Sequence, residues 1–262
     1  MESSVLSLEN VSMQFGGLKA VTDLSLQIKN KQIFGLIGPN GAGKTTVFNM
    51  LTGIYEPTAG KIKAFGKDIV GKRPFEICCV GIARTFQNIR LFKDLSILDN
   101  ILIAVDKNPK SKVDALACCV MQHKAYRRNE ELKTTQSAEL LELFGLKEKQ
   151  NLLARQLPYG DQRRLEIARA LATGAKIILL DEPAAGMSNS ETENLMTLIK
   201  FIRDKFEVTV ILIEHDMHLV MNICEEIAVL DHGVKIAEGN PYEIKCNPVV
   251  IEAYLGKDHK NE

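Results

Sequence analysis

IFGLIGPNGAGKTT, residues 33–46, is the stretch that decides the fold. Its apolar residues 33–37 predict a short buried strand, and Lys44 opens a segment of helical character. The turn between them matches the pattern G-x-x-x-x-G-K-[ST] in its strand–loop–helix context. Glycines in this pattern let successive backbone N–H groups surround phosphate oxygens, and the positive end of the helix dipole faces the same anion. The stretch therefore predicts a phosphate-binding loop.

Each position of this loop is expected to contact a bound nucleotide. The residues are Gly38, Pro39, Asn40, Gly41, Ala42, Gly43, Lys44, Thr45 and Thr46. Lys44 is expected to reach the β- and γ-phosphates as a point charge, and the Thr45 hydroxyl to bind Mg²⁺. An ordinary glycine-rich turn is the competing interpretation, but the Lys-Thr pair and both flanks favour the phosphate site.

Composition excludes several classes of function. The chain has 262 residues, 45% of them hydrophobic and 25% charged, as in ordinary globular proteins. Its 33 basic and 33 acidic residues balance and it has no Trp, so a nucleic-acid partner is not expected. No stretch approaches the ~20 apolar residues of a membrane helix, and none resembles a signal peptide. Any role at a membrane is expected to come through a partner.

The order of predicted elements indicates an α/β protein of one domain. Strands alternate with helices in residues 1–87 and 161–240, which predicts a mainly parallel sheet with its ligand at the carboxyl ends of the strands. Antiparallel strands are expected at the N-terminus. Residues 88–160 show helical spacing and are predicted to form an inserted helical subdomain, irregular and exposed in part of 106–135. Residues 241–262 predict a C-terminal helical tail.

Two acids follow the apolar run 177–180, as expected for a buried parallel strand that delivers a carboxylate to a nucleotide. Asp181 is expected to hold Mg²⁺, and Glu182 to orient or deprotonate the water that attacks the γ-phosphate. Such a pair alone would more often cap a helix. The phosphate-binding loop upstream favours the catalytic interpretation.

Three further side chains are candidates for the nucleotide site because of their positions relative to the predicted strands and turns. Gln87 ends a predicted strand and can reach the metal or the water through its amide. His215 follows another strand and can contact the γ-phosphate. Phe15 precedes a Gly-Gly turn and can stack on a purine. Alone, each has an ordinary interpretation as a loop, surface or core residue.

These motifs together carry a family resemblance. The set comprises Phe15, GPNGAGKTT (38–46), Gln87, LPYGDQRR (157–164), ILLDEP (178–183) and His215. It resembles the nucleotide-binding subunit of ABC transporters over essentially the whole chain, which implies a RecA-like P-loop NTPase core that hydrolyses ATP. A finer similarity, to the ATPase subunit of branched-chain amino-acid importers, comes from LPYGDQRRLEIARAL (157–171), DEPAAGM (181–187), LIEHDM (212–217) and the tail NPVVIEAYLG (247–256).

The resemblance implies a head-to-tail dimer in which each nucleotide lies between one phosphate loop and the other subunit's signature segment. That segment is LPYGD (157–161) here, where the general pattern is Leu-Ser-Gly-Gly-Gln. Tyr159 and Gly160 are thus expected at the partner's nucleotide. Pro158 has no donor to replace the usual serine. Asp161 adds negative charge near a polyanion unless it caps the following helix.

The implied partners are a second ATPase subunit, identical or different, and two transmembrane permease subunits, with a solute-binding protein acting indirectly. The protein would lie peripherally at the cytoplasmic face of the membrane and take a coupling helix near residues 87–92 and 94–98. Alternatives are a urea-type importer or lipid exporter ATPase, a soluble ABC ATPase acting on nucleic acid, and a non-catalytic nucleotide sensor.

Overall fold

The computed structural model describes residues 4–105 and 123–255. The chain divides into two compact units, the first formed by Met1–Gln87 with Lys176–Glu262 and the second by Asn88–Ala175. The strands are β1 (Ser4–Phe15), β2 (Leu18–Lys29), β3 (Ile33–Ile37), β4 (Ala59–Ala64), β5 (Lys67–Asp68), β6 (Ile82–Arg84), β7 (Ile177–Asp181), β8 (Thr209–Ile213), β9 (Glu226–Asp231) and β10 (Val234–Gly239). The helices are α1 (Lys44–Leu51), α2 (Pro74–Val80), α3 (Ile97–Val105), α4 (His123–Leu143), α5 (Tyr159–Ala172), α6 (Asn189–Phe206), α7 (Met217–Ile223), α8 (Pro241–Cys246) and α9 (Pro248–Leu255).

A six-stranded sheet in the order β10-β9-β3-β8-β7-β6 forms the centre of the first unit. From β9 to β6 every neighbouring pair is parallel, and only β10 joins antiparallel. Every residue of β3, β7 and β8 is buried, as expected for parallel strands covered on both faces. The carboxyl ends of these strands therefore lie at one edge, which confirms the predicted fold class.

An antiparallel sheet in the order β2-β1-β4-β5 forms the other layer of this unit. The hairpin of β1 and β2 turns at Gly16, whose φ of +57° suits glycine. The two strands pair over nearly their whole length, from Ser4 with Lys29 to Phe15 with Leu18. Apolar side chains of this sheet, such as Leu8 and Leu24, pack in one core with Phe48 of α1 and Leu179 of β7.

The second unit is helical: α3 packs against both α4 and α5. Residues 123–135 belong to α4, so this portion of 106–135 is helical, while residues 106–122 lie outside the described residues. Helix-favouring Glu, Lys, Arg and Gln fill this helix, but few apolar residues mark a buried face. The unit also extends to Ala175 rather than 160, because α5 packs with the other helices of the unit.

No helix in residues 4–105 and 123–255 is long and apolar enough to cross a bilayer.

Candidate nucleotide-binding site

The phosphate-binding loop follows β3, and glycine is required at two of its positions. Gly38 has φ +148°, and a Cβ there would lie 2.0 Å from the carbonyl oxygen of Leu230. Gly43 has φ +99°, and its Cβ would lie 2.5 Å from the carbonyl oxygen of Ala20. The loop is therefore pressed against neighbouring backbone at both ends, in a path that only glycine permits.

Lys44 is the first residue of α1, and its side chain folds back over the loop. Its Nζ donates hydrogen bonds to the carbonyl oxygens of Gly38 (2.7 Å) and Pro39 (2.9 Å). Burial lowers the pKa of Lys44, and the nearby charges of Glu182 and Asp181 oppose that effect. The ammonium group thus lies beside the loop and within electrostatic reach of both acids.

An open cleft of about 560 Å³ brings Phe15, the phosphate-binding loop and Glu182 together. Phe15 is 41% exposed and meets the ring of Tyr55 edge to face, with the ring centroids 5.1 Å apart. Phe15 is thus partly exposed in the cleft, the place where the stacking prediction needs it. Lys19 and His232 also line this cleft, although the sequence analysis did not single them out.

The acid pair sits where β7 ends. Asp181 is the last residue of the strand and is 5% exposed. Glu182 adopts a left-handed backbone with φ +44°, and its N–H donates to the carbonyl oxygen of Ile213 at 2.9 Å. The turn therefore directs the second acid away from the line of the strand.

Gln87 and His215 both lie beside Glu182. The amide Nε2 of Gln87 donates to Glu182 Oε2 at 2.8 Å, and His215 Nδ1 lies 3.8 Å from the same oxygen. His215 is largely exposed, with 62% of its side chain accessible. Residues that follow β6, β7 and β8 thus meet around one carboxylate, as expected from the shared edge of parallel strands.

Two buried charged residues at this edge were missed by the sequence analysis. Arg84 Nη2 donates to Asp181 Oδ2 at 2.6 Å, with under a tenth of either side chain exposed. Glu214 Oε1 accepts from the N–H of Ala184 at 2.8 Å, and burial raises the pKa of Glu214. The available signals were a charge inside a short apolar strand and an acid directly before His215.

The donor set near the loop fits Mg²⁺. The hydroxyl of Thr45, the carboxylate of Asp181 and the amide of Gln87 offer the oxygen ligands that this ion prefers. Within residues 4–105 and 123–255, no group of three or more His, Cys, Asp or Glu side chains is placed to enclose a metal. Mg²⁺ commonly binds through one or two protein ligands together with phosphates and water, and the small number of protein ligands here is consistent with that mode of binding.

The C-terminal helix α9 reaches the same loop from another side. The hydroxyl of Tyr254 is buried close to the backbone of Gly38, and burial raises its pKa. The tail therefore packs against the start of the phosphate-binding loop.

The signature segment lies in the second unit, at the N-terminus of α5. The helix begins at Tyr159, directly after Pro158, and Gly160 lies in its first turn. Asp161 Oδ2 accepts from Lys149 Nζ at 2.6 Å. The negative charge of Asp161 is therefore paired with Lys149, an arrangement that the sequence analysis did not foresee.

A buried ion pair stabilises the same helix. Arg163 Nη1 donates to Glu166 Oε2 at 2.8 Å, with at most 2% of either side chain exposed. Arg163 Nη2 also approaches the hydroxyl of Tyr159 at 3.3 Å. This network ties the first turn of α5 to the next turn, so Tyr159 is oriented from within the helix.

Comparison with known proteins identifies relatives of the whole chain. A family model described as "ABC transporter" matches residues 21–185, and one described as "Branched-chain amino acid ATP-binding cassette transporter" matches residues 234–260. The branched-chain amino acid transport ATP-binding protein BraF of Pseudomonas aeruginosa is 45% identical over 98% of this chain and 100% of its own length. LivG of Escherichia coli, with the same description, is 44% identical over 98% of this chain and 100% of its own length.

Solved structures agree with the fold. A nucleotide-free ATP-binding cassette from an ABC transporter superposes with a TM-score of 0.82 at 31% identity, over 97% of this chain and 100% of that one. A dimeric ATP-binding cassette in a post-hydrolysis state, bound to ADP and Pi, has a TM-score of 0.73 at 25% identity, over 90% of this chain and 98% of that one.

Proposed function

The chain belongs to the ABC transporter family of ATPases, and we propose that it is the ATP-hydrolysing subunit of an importer for branched-chain amino acids. The observation that carries this proposal is the similarity to such transport proteins over the full length of the chain, including the C-terminal tail. The substrate would be selected by other subunits, so no residue of this chain is expected to contact the amino acid.

The phosphate-binding loop is proposed to hold the β- and γ-phosphates of ATP. Backbone N–H groups of residues 40–43 and the N-terminus of α1 supply donors, and Lys44 supplies charge. In this structure, Lys44 Nζ is held by two loop carbonyl oxygens, and phosphate oxygens would compete for those hydrogen bonds. Phe15 is proposed to stack on the adenine ring.

Thr45, Asp181 and Gln87 are the proposed ligands of Mg²⁺. When bound, Mg²⁺ neutralises charge on the phosphate oxygens. The burial of Asp181 at the end of β7 keeps its carboxylate in a fixed place. Thr45 lies in the first turn of α1, so its position follows from the same loop that binds the phosphates.

Glu182 is proposed to orient and deprotonate the attacking water. Its carboxylate is held by Gln87 and lies near His215, which would contact the γ-phosphate. The left-handed backbone at Glu182 supports this role, because strained conformations of this kind concentrate at functional sites.

One chain supplies half of an ATP site in this proposal. Tyr159 and Gly160 of a second ATPase subunit, identical or different, would complete the site, in keeping with the dimer seen for a relative. Two transmembrane permease subunits would bind near residues 87–92 and 94–98, where Phe92 is 47% exposed. The chain would then lie peripherally at the cytoplasmic face of the membrane, and a solute-binding protein would act through the permeases.

The test uses the tagged chain isolated from native membranes with its associated subunits and placed in proteoliposomes. External leucine, with a matching solute-binding protein, is expected to stimulate both uptake and phosphate release. Glu182→Gln should lower phosphate release by about 10²–10⁴-fold while preserving ATP binding, because general-base assistance is lost. Glu139→Gln removes an exposed carboxylate on α4 and should leave the rate unchanged.

Phosphate release by Glu182→Gln at the unaltered rate would contradict the catalytic assignment. Transport of urea or lipid in place of leucine would favour a related ABC system. Co-isolation with nucleic acid and no permease would refute the transport role.

A further inference from the structure

Arg84 joins two elements of the nucleotide site through one buried side chain. Its Nη2 donates to Asp181 Oδ2 on β7 at 2.6 Å, and its Nη1 donates to Asn49 Oδ1 on α1 at 2.7 Å. Only 6% of the Arg84 side chain is exposed. The guanidinium group therefore forms a direct link from the end of β7 to the helix that follows the phosphate-binding loop.

Aromatic rings fix the plane of this guanidinium group. Arg84 Cζ lies 5.5 Å from the ring centroid of Phe48 and 5.0 Å from that of Phe86, distances typical of cation–π contact. The Nε–H has no partner among the described residues, so the two outer nitrogens carry the hydrogen bonds to Asp181 and Asn49. A lysine ammonium group could not span both acceptors in this planar geometry.

The link connects the elements that carry two of the three proposed Mg²⁺ ligands. Asn49 lies four residues after Thr45 in α1, so the two side chains share one face of the helix. Asp181 is the other ligand. By holding Asn49 at a fixed distance from Asp181, the Arg84 side chain thus also holds Thr45, one turn earlier in α1, at a fixed distance from the Asp181 carboxylate.

Charge balance supports the same role. A buried carboxylate without a partner costs several kcal/mol in general, and Arg84 supplies a counter-charge to Asp181. Because Arg84 bonds one carboxylate oxygen, the rotation of the group is restricted as well. The carboxylate of Asp181 is thereby both paired and oriented.

Building on the proposed function, we propose that Arg84 is a positioning residue that holds Asp181 in register with Thr45 for the binding of Mg²⁺ with ATP. It acts through Asp181 and Asn49 and does not itself touch the nucleotide. The same side chain lies three residues before Gln87, so it also anchors the strand that delivers this third ligand.

The test compares ATP affinity in EDTA with ATP affinity in excess Mg²⁺, measured by calorimetry on the full chain. Asn49→Ala removes the hydrogen bond to α1 but keeps the positive charge of Arg84 beside Asp181. Arg84→Lys keeps a positive charge there but loses the planar group that bonds both acceptors. Both variants should bind ATP normally in EDTA and lose about tenfold of the affinity gained from Mg²⁺, a loss typical for groups that orient metal ligands. A raised KM for Mg²⁺·ATP in hydrolysis should accompany this loss.

Arg73→Lys is the matched control. Arg73 also pairs with an acid, Glu76, and stacks on a ring, Phe75, but on the exposed surface. The Arg73→Lys variant should show the same increase in ATP affinity on addition of Mg²⁺ as the unaltered chain. Thermal unfolding of each variant checks that the fold is retained.

If Asn49→Ala and Arg84→Lys keep the full Mg²⁺ gain, the inference is wrong. It is also wrong if both lose affinity equally in EDTA and in Mg²⁺, since that pattern indicates general damage to the site. Failure of the unaltered chain to bind ATP would instead refute the proposed function.

Discussion

Glu182 shows how a single residue can be held in an unfavourable backbone conformation. Its φ of +44° is uncommon for a residue with a Cβ and costs roughly 1–3 kcal/mol. The hydrogen bond from its N–H to Ile213 and the bond from Gln87 to its carboxylate hold it there. These contacts explain why the carboxylate points to the cleft instead of continuing the strand.

The sequence alone was enough to propose Asp181 and Glu182 as site residues, because an acid pair that ends an apolar run is a local pattern. The contacts of these acids could not be predicted. Gln87 reaches Glu182 across 95 residues of sequence, and Arg84 reaches Asp181 across 97. Residues so far apart in sequence form no local pattern that would show they are in contact, because only the order of the strands in the sheet brings them together.

Glu214 should make stability depend on pH. Burial raises its pKa above the ordinary value of 4.5, so the folded chain keeps a proton that the unfolded chain releases. The free energy of unfolding should therefore decrease as pH rises from about 4.5 through the raised pKa of this group. Glu214→Gln should remove this part of the slope, measured by urea unfolding at a series of pH values. Parallel curves for the two proteins would exclude Glu214 as the source.

At the scale of elements, strands with continuous apolar runs were predicted best. The bounds of β3, β7 and β8 agree with the sequence within about one residue, since each run ends at a glycine, an acid or a polar pair. The two-residue strand β5 was missed because its exposed Lys67 and Asp68 carry no apolar signal.

Asp161 in the first turn of α5 pairs closely with Lys149, at 2.6 Å, and lies farther from Arg164, at 3.9 Å. Lys149 neutralises Asp161, which stands where the proposed partner nucleotide would bring negative charge. Lys149→Ala should therefore weaken the ATP-dependent dimer by up to about fivefold, as expected for a partly exposed pair worth about 1 kcal/mol. Helix α5 should still form, because an acid in its first turn is favourable.

The measurement is sedimentation with ATP in the Glu182→Gln background, which prevents turnover. Lys149→Ala combined with Asp161→Asn is the control, and it should restore the dimer because the negative charge at position 161 is removed. An unchanged dimer affinity in Lys149→Ala alone would show that the charge of Asp161 is unimportant there.

For the whole molecule, the balance of 33 basic and 33 acidic residues leaves no net charge to attract nucleic acid or anionic lipid. Association with a membrane would then depend on specific partner surfaces. The chain carries the phosphate-binding loop in its first unit and the signature segment in its second, so each copy contributes one of each to a proposed head-to-tail pair. A pair would hold two complete sites.

Turnover by the isolated chain should therefore depend on concentration. Below the dissociation constant of the dimer, the fraction of paired chains falls about in proportion to concentration, so phosphate release per chain should fall about tenfold for each tenfold dilution at saturating Mg²⁺ and ATP. Release is measured across a dilution series with carrier albumin present, which prevents loss of protein on surfaces. Mixing in excess Lys149→Ala/Asp161→Asn chain, which retains its own loop, should restore the rate of a dilute sample by mass action. A constant rate per chain over the whole series would mean that one chain forms a complete site, and the shared-site proposal would fail.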